Sequence, residues 1–478
     1  MLAPCKNLLA RPLRLVLFAA FVYAFCWIKG WPREYDDEEL PPSQRSRHDT
    51  PPTVAPDQLV VAVFTTATDV YAKVAPTIVH VDAQDQGTLL HFGDLQMAVG
   101  RWPVFDAVAS LPWAFIQSTR ELAGYVRQLD YHQRGIPLGE LTEQDPRRER
   151  ERLATLAKYK VLPAMSDAWH FRPNRTWYAF VDDDTFIDRS NLLDWLAHHD
   201  ANTTAFFANP PTYNGPGAPD AFAPFAANGT SFILSGRAMR ELLEVRTDVV
   251  KTWMPYIAGH SSALELVADV VLRELNTSPQ PLSPGMSGFA PSSVPFGPYA
   301  SWCEPVTMLH HVPVNAASDI WRLQKAHAED KNATGPLVFA HLWFSFLSTQ
   351  TLDDPRDDWD NLSSDFTNAR WNMLFEGKQH DVHRAIKAET SWEACQASCN
   401  KNENCVQWSY STVPSPNWNE NKETRCHLSS SIRLGEHTKP QELTVNGEKK
   451  KSTWKSGWKK SMFQAWAKAE QCKPKPQS

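Results

Sequence analysis

The chain has 478 residues, 42% of them hydrophobic and 21% charged, with a formal net charge of -6. That length exceeds one ordinary core, so a large domain with one or two smaller pieces is expected. The acidic balance and the lack of a basic stripe interleaved with aromatics argue against nucleic acid as a partner.

Lys6, Arg11 and Arg14 precede an uncharged apolar run over residues 15–28, and Lys29 and Arg33 follow it. The run is shorter than an ordinary membrane span. No small-x-small cleavage site follows it, which favours an uncleaved signal anchor over a secreted form. The charge order then gives a single-pass type II protein, with residues 1–29 as cytosolic tail and anchor and the rest lumenal. Residues 30–57 are rich in proline and acidic residues and read as an extended stem. Six sequons begin at Asn174, Asn202, Asn228, Asn276, Asn332 and Asn361. They suit a secretory route.

Residues 58–350 carry the main fold. Leu59 to Phe64, Ile78 to Val81 and Leu89 to Phe92 are short apolar runs of strand character, with helical segments between later runs. Such a pattern predicts a mostly parallel α/β sheet, in which ligands collect at the carboxyl ends of strands. Thr65, Thr66, Asp94, Asp182, Asp183 and Asp184 would then share one rim. The strand-like run Trp177-Tyr178-Ala179-Phe180-Val181 stops at those three aspartates. Adjacent carboxylates at a core edge raise one another's pKa unless a cation or N–H donors hold them ionised. A divalent metal carried with a phosphate is the simplest such cation; a solvated acidic turn is the bland alternative.

From Trp113 to Asp167 the chain is helical in period, and the charge run Arg147 to Arg152 reads as a solvated helix face. Ser190 would cap the next helix. Residues 209–229 are rich in Pro and Gly and read as a loop over the site. Glu265 and Asp269 lie four apart on one face of a helix whose apolar neighbours predict burial. His310-His311 ends an apolar run and is a candidate metal ligand pair, although lone histidines are more often structural. After a linker at 351–379, Cys395, Cys399, Cys405 and Cys426 suggest a separate disulfide-stapled module over 380–465, with a zinc site as the rival; residues 466–478 form a tail. The lysines from Lys449 to Lys475 read as solvated surface, with anionic glycan or membrane binding as the alternative.

In this order the segments Thr65-Thr66-Ala67-Thr68, Phe92-Gly93-Asp94, Val181-Asp182-Asp183-Asp184-Thr185, Asn191-Leu192-Leu193, Asn228-Gly229-Thr230, Asp269-Val270-Val271-Leu272 and Leu309-His310-His311-Val312 resemble the Fringe-like β-1,3-glycosyltransferases of glycosyltransferase family 31. The tail resembles the PAN/apple-like module of the fungal branch. The resemblance implies a GT-A fold, a Rossmann-like nucleotide-sugar-binding sheet, followed by a small disulfide-stapled α+β module. It implies a UDP-sugar donor, a divalent metal (manganese as a rule), a glycan or glycoprotein acceptor, and a Golgi location. By matching positions Asp184 and His310 would bind the metal, and Asp182 and Asp183 would serve the ribose and metal-bound waters. Thr65, Thr66, Asp94 and Gly229 would contact the donor. Asp269 would be the base of an inverting transfer. Asn228 replaces the first of two glycines usual in the family. The PAN/apple pattern implies Cys395 with Cys426 and Cys399 with Cys405, leaving Cys472 as a guess for Cys303. The rival function is a non-catalytic carbohydrate- or protein-binding protein that keeps the transferase scaffold.

Overall fold

The computed structural model describes residues 54–82, 85–208, 231–246, 248–282, 286–287, 291–298, 302–331, 333, 335–364, 373–378, 387–413, 423–445, 448–470 and 472. The expected anchor, most of the stem, the 209–229 loop with Gly229, and the sequons at Asn228 and Asn332 lie outside them. Among the described residues no helix is long and apolar enough to cross a membrane.

Strand β1 (Leu59–Phe64) is buried at all six positions, the pattern of a strand covered on both faces. Helix α1 (Val70–Val79) follows, then β2 (Leu89–Gly93), β3 (Met97–Val99) and β4 (Trp102–Asp106). Helices α2 (Ala123–Gln133) and α3 (Pro146–Phe171) lead to β5 (Trp177–Asp182). Beyond it lie β6 (Phe186–Ile187), α4 (Arg189–Ala197), β7 (Phe206–Ala208), β8 (Phe232–Ser235) and α5 (Ala263–Leu275). The main sheet runs β3-β4-β2-β1-β5-β8-β7. Its centre is parallel, β1 pairing with β2 and β5, while β8 joins β5 antiparallel.

Alternation along the central strands divides the core between the two faces of the sheet. Val60, Ala62 and Phe64 join Tyr178 and Phe180 against α3 and α5, while Leu59, Val61 and Val63 join Trp177, Ala179 and Val181 against α4. Phe64 stands in register with both Phe92 and Asp182. The carboxyl ends of β1, β2 and β5 therefore form one edge.

Two local expectations are corrected. Residues 78 and 79 are the last turn of α1, not a strand: Val70 and Val74 are buried at helical spacing, and Val79 faces solvent. The β-branched run outweighed that spacing in the sequence. The cap of α4 is Asp188, whose side chain accepts the Asn191 N–H, and Ser190 lies inside the first turn.

A second sheet, β6-β10-β9, is built from β9 (Met286–Ser287) and β10 (Met308–Leu309), with β10 antiparallel to β6. It delivers His310 to the segment that follows β5. Helix α6 (Val314–Glu329) comes next.

The C-terminal region holds β11 (Arg356–Asp357), β12 (Trp359–Asp360), β13 (Met373–Lys378), α7 (Trp392–Lys401), β14 (Gln407–Val413) and β15 (Glu423–Ser429). It ends with β16 (Glu436–His437), β17 (Gln441–Val445), β18 (Glu448–Trp458) and α8 (Lys460–Ala469). Strands β11-β18-β14-β15-β13 form an antiparallel sheet. Disulfides join Cys395 to Cys426, Cys399 to Cys405 and Cys303 to Cys472, so no thiols remain there for zinc.

This region is not packed on its own. Ile432, Trp458, Phe463 and Ala467 share one apolar core with Phe186, Phe296, Trp302 and Trp343. Phe296 also bridges to Ile432 through the backbone. Small disulfide modules have little core to bury alone, and here the missing partner is the preceding domain. Residues 52–478 accordingly cluster as one unit. Asn361 of the last sequon is completely buried, its amide donating to the Trp408 and Gly457 carbonyls, whereas Asn174, Asn202 and Asn276 are exposed.

Candidate functional site at the carboxyl edge of the central sheet

The turn leaving β1 is fixed from below by buried charge. Lys160 of α3 donates to the Thr65 carbonyl at 2.7 Å and lies 3.6 Å from Asp94. Asp94 accepts the Ala67 N–H at 2.7 Å and the Gln128 amide at 3.2 Å. Charges this deep are tolerated only when paired and hydrogen-bonded. Asp94 thus holds the Thr65–Ala67 turn in place and does not itself line the cavity above.

That cavity has a volume of about 420 Å³, within the usual range for small-ligand sites. Thr65, Thr66, Asp69, Lys73, Asp182, Asp183, Asp184, His310 and His311 all reach it. Asp183 accepts the Thr65 hydroxyl at 2.7 Å and lies 3.5 Å from the Lys73 ammonium. Burial pushes its pKa up to about 6, against the pull of Lys73 and Thr65. For Lys73 burial acts against the charged form, yet Asp183 and Asp69 outweigh it and raise its pKa above the ordinary lysine value. Lys73 is therefore a cation at the cavity wall, also paired with Asp69 at 2.9 Å.

Asp184 faces two imidazoles. Its Oδ1 lies 3.0 Å from His310 Nδ1 and its Oδ2 3.1 Å from His311 Nδ1. Burial alone would raise its pKa, but His310 and His311 hold the carboxyl well below the usual range. Thr185 Oγ1 lies 3.0 Å from the same His310 nitrogen, and His310 Nε2 is 3.7 Å from Asp182. Ligand atoms of Asp184, His310 and His311 all fall within 4.8 Å of one another.

On the opposite wall α5 presents its first turn. Ser262 caps the helix by accepting the Glu265 N–H, and Ser262, Ala263 and Leu264 line the cavity. Asp269 does not join them. It follows Leu264 by five residues, about 140° around the helix, and is held by Arg273 at 2.7 Å and His260 at 3.2 Å. The expected burial is only partial, its side chain being 26% exposed. Glu265 points to solvent and accepts the Ser261 N–H at 2.6 Å.

The structure thus gathers Thr65, Thr66, Asp182, Asp183, Asp184 and His310, places Asp94 beneath the rim, and leaves Asp269 outside it. Lys73 and Lys160 as neighbours of the aspartates were not read from the sequence, and His311 was read only as half of a candidate metal ligand pair. The Asp69–Lys73 pair was open to reading, being four residues apart at the start of a helix that follows a buried strand. Lys160 carried no such signal, because its partners are brought by β1 and β2. No curated protein matches the chain. Residues 378–429 match the family model of the PAN domain.

Proposed function

We propose that the cavity binds a UDP-sugar together with a divalent cation, and that the chain is a metal-dependent inverting glycosyltransferase acting on a glycan or glycoprotein acceptor, forming a β-1,3 linkage in the Golgi lumen. The observation that carries this reading is the meeting of Asp184 and His310 at 3.0 Å beside the Asp183–Lys73 pair, where the parallel strands end. A carboxylate suits manganese, and imidazole is a common ligand of first-row divalent ions. Bound there, the cation would offset charge developing on the departing diphosphate. Lys73 supplies a second positive charge to that diphosphate, and the Thr65 and Thr66 hydroxyls supply polar contacts to the nucleotide. Asp182 and Asp183 remain for the ribose and metal-bound waters. Proton removal from the acceptor falls to Asp269, which must release Arg273 and turn toward the cavity.

The position of Asp269 favours a second reading, in which the chain is a non-catalytic carbohydrate- or protein-binding protein that binds through its PAN domain and keeps the sheet as a scaffold. UDP binding and UDP-sugar turnover by the full chain, with and without manganese, separate the two. The transferase reading expects manganese-dependent turnover that Asp184→Ala abolishes and Asp269→Ala strongly reduces. Absence of turnover selects the second reading, and absence of UDP binding in manganese sinks the first outright.

A further inference from the structure

His311 has no part in the reading above, yet its backbone is unusual. Strand β10 ends at Leu309, and successive side chains along an extended segment point to opposite faces. His310 and His311 should therefore diverge. Instead His311 adopts φ +55°, a left-handed conformation that only a few per cent of non-glycine residues take, asparagine, aspartate and histidine more readily than the rest. The turn brings the two rings to 4.0 Å between centroids, each with its Nδ1 facing one oxygen of the same carboxylate. It is closed from the far side by the Val312 N–H, which donates to the Asp184 carbonyl at 2.8 Å. Backbone conformations of this kind persist where surrounding contacts over-determine them, and they gather at functional sites.

The spacings have a further meaning. His310 faces Oδ1 of Asp184 at 3.0 Å and His311 faces Oδ2 at 3.1 Å, and one ligand atom from each of the three residues lies within 4.8 Å of the other two, close enough to converge on one cation.

We propose that His311 is a third protein ligand, making a two-histidine, one-carboxylate face that selects a first-row transition ion over magnesium or calcium. This rests on the metal half of the preceding reading and extends it to a ligand and a selectivity. Imidazole nitrogen suits zinc, copper, iron and nickel, whereas magnesium and calcium suit oxygen donors, and cobalt lies between iron and nickel in affinity for such sites. Three ligands on one side leave the remaining coordination positions toward the cavity, where diphosphate oxygens would enter. The half-exposed ring of His311, 48% accessible, stands on the cavity side of that face.

The test is a titration of the full chain with cobalt(II) without nucleotide, followed by visible absorption, and a parallel competition with magnesium. Wild-type protein is expected to hold cobalt more tightly than magnesium. His311→Asn keeps a residue that tolerates the left-handed backbone, and it should weaken cobalt binding at least about tenfold while narrowing the cobalt-to-magnesium ratio. His311→Gly, which removes the ring and frees the backbone, should do the same, with thermal unfolding confirming that both variants are folded. Unchanged cobalt affinity in either folded variant, or a wild-type preference for magnesium, overturns the proposal and leaves His311 as a hydrogen-bonding neighbour of Asp184. Because nucleotide is absent from the titration, failure of UDP binding would not alter its outcome.

Discussion

Two groups of polar side chains, one lining the cavity and its floor and the other on α5 facing away from it, are stabilised in opposite ways. At the sheet edge the partners are distant in sequence: Lys160 meets Thr65 across 95 positions and Asp183 meets Thr65 across 118. On α5 the partners are local: Asp269 pairs with Arg273 four residues on, and Glu265 with Ser261 four residues back. Local pairs on a partly exposed helix face contribute little and can be exchanged for water. Long-range pairs at a buried edge exist only while the sheet is assembled, and their loss strands a charge. The contrast marks the sheet edge as the organised site and α5 as its wall.

The largest effect that would test this contrast is expected at Lys160. Lys160→Met removes one member of a buried pair, its side chain being 4% exposed and that of Asp94 1% exposed. Leaving Asp94 unmatched should cost about 3–5 kcal/mol in urea unfolding. A loss comparable to that of a surface pair would break the comparison.

His91 of β2 gives a pH-dependent counterpart. It is almost fully buried, its ring nitrogen lying 2.9 Å from the Thr77 hydroxyl, and burial lowers its pKa to about 4 from 6.5. The unfolded chain binds a proton below pH 6.5 that the folded chain refuses until about pH 4. The stability this contributes is thus present above pH 6.5 and lost as pH falls toward 4. The difference amounts to about 3 kcal/mol. Unfolding free energies measured across that range should show the slope in the wild type and a shallower one in His91→Gln. Equal slopes would remove His91 from the set of groups governed by long-range burial.

The smallest effect is expected on α5. Asp269→Asn keeps the shape of the side chain and weakens its pairs with the exposed Arg273 and the less exposed His260, so unfolding free energy should change by less than about 1 kcal/mol. A larger loss would show that Arg273 and His260 make Asp269 part of the framework and would sharpen the wall's role rather than the site's.

Much of the rim was legible in the chain. Apolar runs at Leu59–Phe64, Leu89–Phe92 and Trp177–Val181 gave the strands, and the polar residues that follow gave Thr65, Thr66 and the three aspartates. Period failed at residues 78–79, where β-branched side chains continue a helix. Direction failed at Asp94 and Asp269, because a residue's place on a strand end or helix face does not say which group will hold it. The tail showed its cysteines but not its attachment: the aromatic residues shared with Phe296, Trp302 and Trp343 belong to a surface that neither part has alone.

The sequence by itself determined where the strands stop and which acidic and imidazole groups stand at their ends, since burial and periodicity are local properties of a run. Only the tertiary structure decided which of those groups meet. Parallel pairing of β1 with β5 brings Thr65 to Asp183, and antiparallel pairing of β10 with β6, followed by the left-handed turn at His311, brings two imidazoles to Asp184. A residue's neighbours on the chain cannot encode such meetings, because they depend on the register between segments more than a hundred positions apart.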